Sequence, residues 1–289
     1  MKNIKFVVLL LCLAFVFNSC KSGQSVELPF SIDYEKDTMP YFEVPLCDTN
    51  GIRFSDSTAR FGIDTACPHS FLYKSGVEYL FETVDDYYLW CKNNNYDIED
   101  EHIGIIVKSI CLDFDVASVN PVFVCDEKAE NELYEGIIGY DVLKKTSLLT
   151  FDFKRNELVI GGEKLKKKKL PLKMLEFKDE KNCEEYLSIP VEIDGKEYDV
   201  LLDTGACSQG VPTLAISGKC ELTDEVSVKI DSEVFENVKV FALEDCNFDD
   251  KNLETHHESF FGDAIILGNA FFQNHRIQLD FENMTFAMD

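Results

Sequence analysis

The chain has 289 residues, 45% hydrophobic and 12% aromatic, which is room for two units with a core each and unlike a disordered composition. Its formal net charge of −25 excludes a nucleic-acid binder driven by electrostatics, opposes adsorption to acidic membranes, and is read first as a solubilising surface. The 11 cysteines contain no C-x-x-C pair, which argues against a zinc knuckle or a thioredoxin-type site.

The first element is an export signal. Lys2 and Lys5 precede an unbroken apolar run from Phe6 to Phe17, too short to span a bilayer comfortably. Asn18-Ser19-Cys20 follows, and a small residue before a cysteine at this point resembles a bacterial lipoprotein cleavage box, with Phe17 where Leu is usual. Residues 1–20 are therefore read as a lipoprotein signal with Cys20 as the lipidated first mature residue, and 21–37 as a tether. Lys21 after the cysteine suggests, by the same resemblance, sorting to the outer membrane of a Gram-negative cell. Nine cysteines remain beyond Cys12 and Cys20, so at least one thiol stays unpaired within a single chain.

From residue 38 onward the chain reads as two copies of one unit. Tyr41 to Leu46 alternates apolar and polar residues as a strand does, and so does Tyr186 to Val191. Turns follow at Asp48-Thr49-Asn50-Gly51 and at Asp194-Gly195, the latter a strong two-residue hairpin signal. Each second strand runs into a similar segment: Ile63-Asp64-Thr65-Ala66-Cys67 and Leu202-Asp203-Thr204-Gly205-Ala206. Each half then has an apolar-apolar-glycine segment, Ile137-Ile138-Gly139 and Ile266-Leu267-Gly268. One or two helical turns come next, at Tyr140 to Leu143 and Asn269 to Phe272. Closing strands are expected at 149–153 and 277–281, then short strands at 157–160 and 284–288. The two Asp lie 139 positions apart and the two late glycines 129, similar separations that fit tandem duplication.

Between these landmarks, β-branched and aromatic residues predict strands at 102–107, 109–114, 121–125, 226–230 and 234–243. A helix is expected over 76–81, and Asn93-Asn94-Asn95 reads as a turn that forms the tip of a mobile hairpin. Asp249 to Glu258 reads as a surface loop. Lysines 164 and 166–169 mark a linker or a strand edge kept from pairing. The boundaries that result are a first lobe at 38–162, a linker at 163–183 and a second lobe at 184–289. The fold class is all-β with short helices.

The repeated Asp-Thr segments carry the chemistry. A peptide bond resists neutral water; a carboxylate can take the proton of that water while a carboxylic acid donates one to the carbonyl oxygen. Two aspartates in contact supply both, because repulsion prevents simultaneous ionisation. A small residue after Asp-Thr lets backbone N–H groups reach the carboxylate, and Thr65 and Thr204 can hydrogen-bond across a junction between the halves.

These motifs, in this order and twice over, resemble the two-lobed aspartic proteases of the pepsin/retropepsin superfamily, and among bacteria the lipoprotein aspartyl protease families. The resemblance covers nearly all of the chain after residue 38. It implies two homologous β-barrel lobes with an active-site cleft between them, and endopeptidase activity without metal or organic cofactor. It makes Asp64 and Asp203 the catalytic pair. Thr65, Ala66, Thr204, Gly205, Gly139 and Gly268 become the supports of the catalytic loops. The substrate is a peptide or protein lying extended in the cleft as an added strand. The partners are that substrate and a membrane reached through the lipid anchor, with no nucleic acid. Two lobes in one chain imply a monomer. Ala66 departs from the Gly usual at its position, and motivates a second reading: an inactive relative in the envelope that binds peptides or partner proteins without cutting them.

Other residues carry blander readings. Cys67 and His69 lack a third group to make a nucleophilic site, and Cys67 and Cys207 read as packed free thiols. His256-His257 beside Glu254 and Glu258 fits no standard metal spacing. Trp90 reads as core, and Tyr96 is a flap candidate on position alone.

Overall fold

The computed structural model describes residues 25–36, 38–47, 53–73, 89, 92–93, 98–101, 104–107, 111–113, 118–119, 122–125, 134–178, 183–243 and 263–289. These are mostly β-strand, organised in three sheets. The signal with Cys20, the helix expected at 76–81, Trp90, Asn94-Asn95, Tyr96 and the loop with His256-His257 lie outside the described residues; Asn93 is helical.

The first-half sheet is built around β2 (Tyr41–Cys47), β3 (Arg53–Ile63), β4 (Phe71–Tyr73) and β10 (Gly136–Ile138). It also contains β5 (Ile98–Glu101), β6 (Gly104–Val107), β7 (Cys111–Asp113), β8 (Ser118–Val119) and β9 (Val122–Cys125), in the order β5-β6-β9-β4-β10-β3-β2-β7-β8. The second-half sheet contains β14 (Lys173–Lys178), β15 (Cys183–Ile193), β16 (Lys196–Leu202), β17 (Thr213–Ser217), β18 (Glu225–Ile230), β19 (Glu233–Ala242) and β20 (Ala264–Leu267). Its order is β14-β15-β16-β20-β17-β19-β18, and β18 pairs again with β15, closing the sheet on itself. The hairpin between β15 and β16 turns at Asp194-Gly195 with φ of 48° and 78°, the two positive angles that suit a tight hairpin and that Asp-Gly accepts.

The same strand register occurs in both halves. β10 slots between β3 and β4, parallel to β3 (Ile138 opposite Ile63) and antiparallel to β4. β20 slots between β16 and β17 in the same way, with Leu267 opposite Leu202. A short helix, α1 (Tyr140–Leu143), follows β10, and a 3-10 turn, Asn269–Phe272, follows β20.

A third sheet is shared by the halves. It contains β1 (Ser25–Pro29), β11 (Leu148–Asp152), β12 (Glu157–Gly161), β13 (Leu170–Pro171), β21 (Arg276–Asp280) and β22 (Thr285–Met288), in the order β1-β12-β11-β21-β22-β13. The halves join at the antiparallel β11–β21 pair, where Thr150 faces Gln278. One row of this sheet, with Leu149, Leu279 and Phe286, is fully buried and packs on Phe271 and Phe272 of the 3-10 turn within one continuous apolar cluster.

Two segments read as connections carry strands instead. Part of the 21–37 tether forms β1, which pairs along its length with β12. Its pattern of half-buried Val26 and Leu28 between exposed neighbours is that of an edge strand, too short and interrupted by Pro29 to stand out in sequence. The 163–183 linker contributes β13, paired to β22, and β14, paired to β15. The lysine run lies immediately before β13, the edge strand of the shared sheet.

Arg60 and Glu135 tie β3 to the entry of β10. The Glu135 carboxylate accepts from the Arg60 backbone N–H at 2.6 Å and from its guanidinium at 2.6 Å, and Arg60 is held in its charged form chiefly by that hydrogen bond. Glu135→Ala leaves that N–H without its acceptor, so it should destabilise the chain by about 2 kcal/mol, discounted for the exposed guanidinium. Urea unfolding with an unchanged midpoint would contradict this.

Candidate active site

The two Asp-Thr segments meet where the halves join. Each follows the end of its strand, and the late glycine segment fixes its direction. The Asp64 N–H donates to Ile138 O and the Asp203 N–H to Leu267 O, both at 3.0 Å. Behind each Asp the chain turns back, so that Tyr140 N–H donates to Cys67 O at 2.7 Å and Asn269 N–H to Ala206 O at 3.1 Å. Gly139 and Gly268 permit this closeness: a Cβ on Gly139 would overlap Cys67 O, and one on Gly268 would lie 2.6 Å from Ala206 O.

Thr65 and Thr204 lock the two segments together. The Thr65 hydroxyl accepts from Thr204 N–H at 3.0 Å and donates to Leu202 O at 2.7 Å. The Thr204 hydroxyl accepts from Thr65 N–H at 3.1 Å and donates to Ile63 O at 2.8 Å. Both residues are fully buried. Each hydroxyl reaches the strand that leads into the other half's aspartate, so the lock sets the spacing of the two carboxyls.

The carboxyls themselves are within hydrogen-bonding reach of one another. Asp64 Oδ1 accepts from the N–H groups of Ala66 (2.7 Å) and Cys67 (3.1 Å); Asp203 Oδ1 accepts from Gly205 and Ala206, both at 2.8 Å. These donors hold one oxygen of each group. Burial pushes the Asp203 carboxyl well above the ordinary 3.8; the charge of Asp64 and the hydrogen bond between them act in the same direction, against the two backbone donors. Groups coupled in this way titrate as a unit.

The residue after Asp-Thr differs between the two loops, Ala66 in one and Gly205 in the other. A Cβ on Gly205 would stand 2.6 Å from Cγ and Oδ2 of Asp64. At the equivalent place in the first half Ala66 keeps its methyl, buried in a small cluster with Tyr186, Leu201 and Ile266, and its φ is not positive. Alanine therefore brings no backbone strain there. Gly205→Ala should lower peptide turnover by at least about 10²-fold by displacing Asp64, whereas Ala66→Gly should keep turnover within about threefold of the parent and cost about 1 kcal/mol of stability. Steady-state kinetics on the pair checks this; equal effects of the two changes would contradict it.

The remaining candidates separate cleanly. The Cys67 thiol donates to His69 O at 3.0 Å, and burial, then the Asp64 charge, raises its pKa well above the ordinary 9.0, the opposite of an activated nucleophile. Cys67, Cys207 and Cys220 form no disulfide. Two side chains outside the Asp-Thr segments support the loops. Ser70, fully buried, accepts from Gly139 N–H at 2.9 Å and donates to Asp141 at 2.7 Å. Asn269, also fully buried, donates to Thr204 O at 3.1 Å. Burial, reinforced by the charge of Cys207, pushes the phenols of Tyr34 and Tyr134 up to about 12. Of these only Asn269 has a usable cue, its place directly after the repeated glycine. A scan against protein-family models and a search of curated proteins found no match to this chain.

Proposed function

We propose that the chain is an aspartic endopeptidase built as two homologous lobes of the pepsin/retropepsin type, with Asp64 and Asp203 as its catalytic pair. The observation that carries this reading is the meeting of one carboxyl from each half, each cradled by its own loop and spaced by the Thr65–Thr204 lock.

In this reading a water lies between the carboxyls. The ionised carboxylate takes one of its protons as the oxygen attacks the scissile carbonyl carbon, and the protonated carboxyl gives its proton to the carbonyl oxygen. A gem-diol results. Its collapse re-forms the carbonyl as the C–N bond breaks, with a proton passed to the leaving amine, and the pair ends with one proton as it began. The protein supplies acid, base and position, so the reaction uses neither metal nor organic cofactor. The substrate is an unfolded or extended segment of polypeptide. Since both aspartates belong to one chain, a monomer suffices. The basic-apolar N-terminus and Cys20 support export and lipid anchoring, with the outer membrane of a Gram-negative cell as destination.

Incubating the full chain with a library of unfolded peptides from about pH 2 to about pH 7, a range chosen to include the titration of the raised member of such a pair, tests this by mass spectrometry of new termini. New internal termini are expected. Peptides that bind and are recovered intact throughout would point instead to a non-catalytic peptide-binding protein.

A further inference from the structure

The chain's densest basic run, Lys164 and Lys166 to Lys169, is a fixed strip on the shared sheet. The segment leaves β12 near one margin and enters β13 at the other, so it crosses the sheet's outer face. Gln278, buried at the centre of that face, accepts from Leu165 N–H at 2.9 Å and donates to Glu163 O at 3.0 Å and to Thr150 at 2.9 Å. Lys164 reaches Asp280 at 2.6 Å and Lys168 reaches Asp231 at 3.5 Å, yet both side chains stay half exposed or more, and Lys166, Lys167 and Lys169 are exposed as well.

Two features give this strip a direction. The opposite row of the sheet packs on the helical turns that follow the late glycines: Phe272 lies 6.0 Å from Phe153 and 6.3 Å from Phe286, ring to ring. Residues alternate faces along a strand, so the outer face points away from the paired carboxyls. The chain also enters the fold at this margin. Ser25 pairs with Gly161, and its Cβ lies 3.2 Å from where a Cβ on Gly162 would be, two residues before Lys164. From Cys20 to Ser25 a fully extended chain reaches at most about 18 Å.

We propose that this outer face rests on an anionic phospholipid surface, the lysine strip meeting headgroup phosphates and the aspartate pair directed away from the bilayer. The proposal rests on the reading of Cys20 as a lipid anchor. The acidic remainder of the chain opposes approach at range, but at physiological ionic strength that repulsion is screened beyond about 8 Å. Contact is then decided by the groups nearest the surface, and here acidic neighbours such as Asp280 and Asp231 are engaged by Lys164 and Lys168. The anchor brings the face to the bilayer and the strip orients it.

Lysine acetylation read by mass spectrometry tests this, using the full chain on vesicles of phosphatidylcholine alone or with about a third phosphatidylglycerol. At about 0.15 M salt the acetylation of Lys166, Lys167 and Lys169 is expected to fall about fivefold on the anionic vesicles and to recover at about 1 M salt. Exposed Lys196 and Lys219 of the second-half sheet serve as unchanged controls. The triple variant Lys166→Glu, Lys167→Glu, Lys169→Glu should lose the protection of Lys164 and Lys168 and keep its peptide turnover. Equal acetylation of strip and controls on anionic vesicles overturns the proposal, and so does a chain that fails to sediment with them. The same spectra report the mass of the Cys20 peptide: lipid present with the strip unprotected refutes the oriented face, whereas protection without lipid upholds it and refutes only the anchor.

Discussion

Asp203→Asn should lower kcat/KM for peptide cleavage by at least about 10³-fold and, at neutral pH, raise the stability of the fold. The loss follows from arithmetic of protons. In the proposed mechanism the pair works with one proton, one carboxyl as base and the other as acid, and an amide can serve as neither. Asp64→Asn should do the same, and the double variant should be little worse than either single one, since the two groups act as one unit. The gain in stability follows from linkage. Burial and Asp64 raise the Asp203 carboxyl above its ordinary 3.8. In the unfolded chain it ionises near 3.8, while in the fold it stays protonated to higher pH. The stability it contributes is thus full below 3.8 and is lost as pH rises through the raised folded value. Above that point the fold carries the whole penalty of a buried carboxylate, and a neutral amide removes it. Denaturant unfolding at pH 7 measures the difference; an unchanged or lower midpoint would contradict the assignment, as would full turnover.

Thr65→Val should destabilise the chain by about 2–5 kcal/mol and cut turnover by about 10²-fold or more. Valine has the shape of threonine without the hydroxyl, so it strands the Thr204 N–H and the Leu202 carbonyl in the interior. Thr204→Val strands the Thr65 N–H and the Ile63 carbonyl. Because each hydroxyl holds the strand leading to the opposite aspartate, the damage reaches the geometry of the pair and not stability alone. Thr→Ser at either place keeps the hydroxyl and should retain most activity. The double Val variant should cost less than the sum of the single ones, since the four bonds form one network. Full turnover by a folded Thr65→Val or Thr204→Val chain would show that the lock does not position the carboxyls.

The parts of this arrangement that repeat in sequence were the legible parts. Asp64 and Asp203, with the glycines at 139 and 268, announce themselves because the same spacing occurs twice, and the strands around them pair in matching registers. The Asp194-Gly195 hairpin was legible for a local reason, the two positive φ angles that this dipeptide accepts. The shared sheet was less so. Its closing strands 148–152 and 276–280 are strongly apolar, but nothing in either predicts that they pair with each other across the halves. β1 and β13 are short edge strands whose partners lie more than a hundred residues away, and such segments read locally as tether and linker. Ser70 and Asn269 act through single hydrogen bonds to backbone groups, and one polar residue in a loop has no period to betray it.

The claim on which the mechanism depends is that Asp64 and Asp203 share a proton. Titration of the aspartate carboxyls by 13C NMR tests it directly. One carboxyl of the pair should remain protonated well above the ordinary aspartate range, and its titration should move toward lower pH when the partner becomes asparagine. Two carboxyls that titrate independently near 3.8, unmoved by loss of the other, would contradict it.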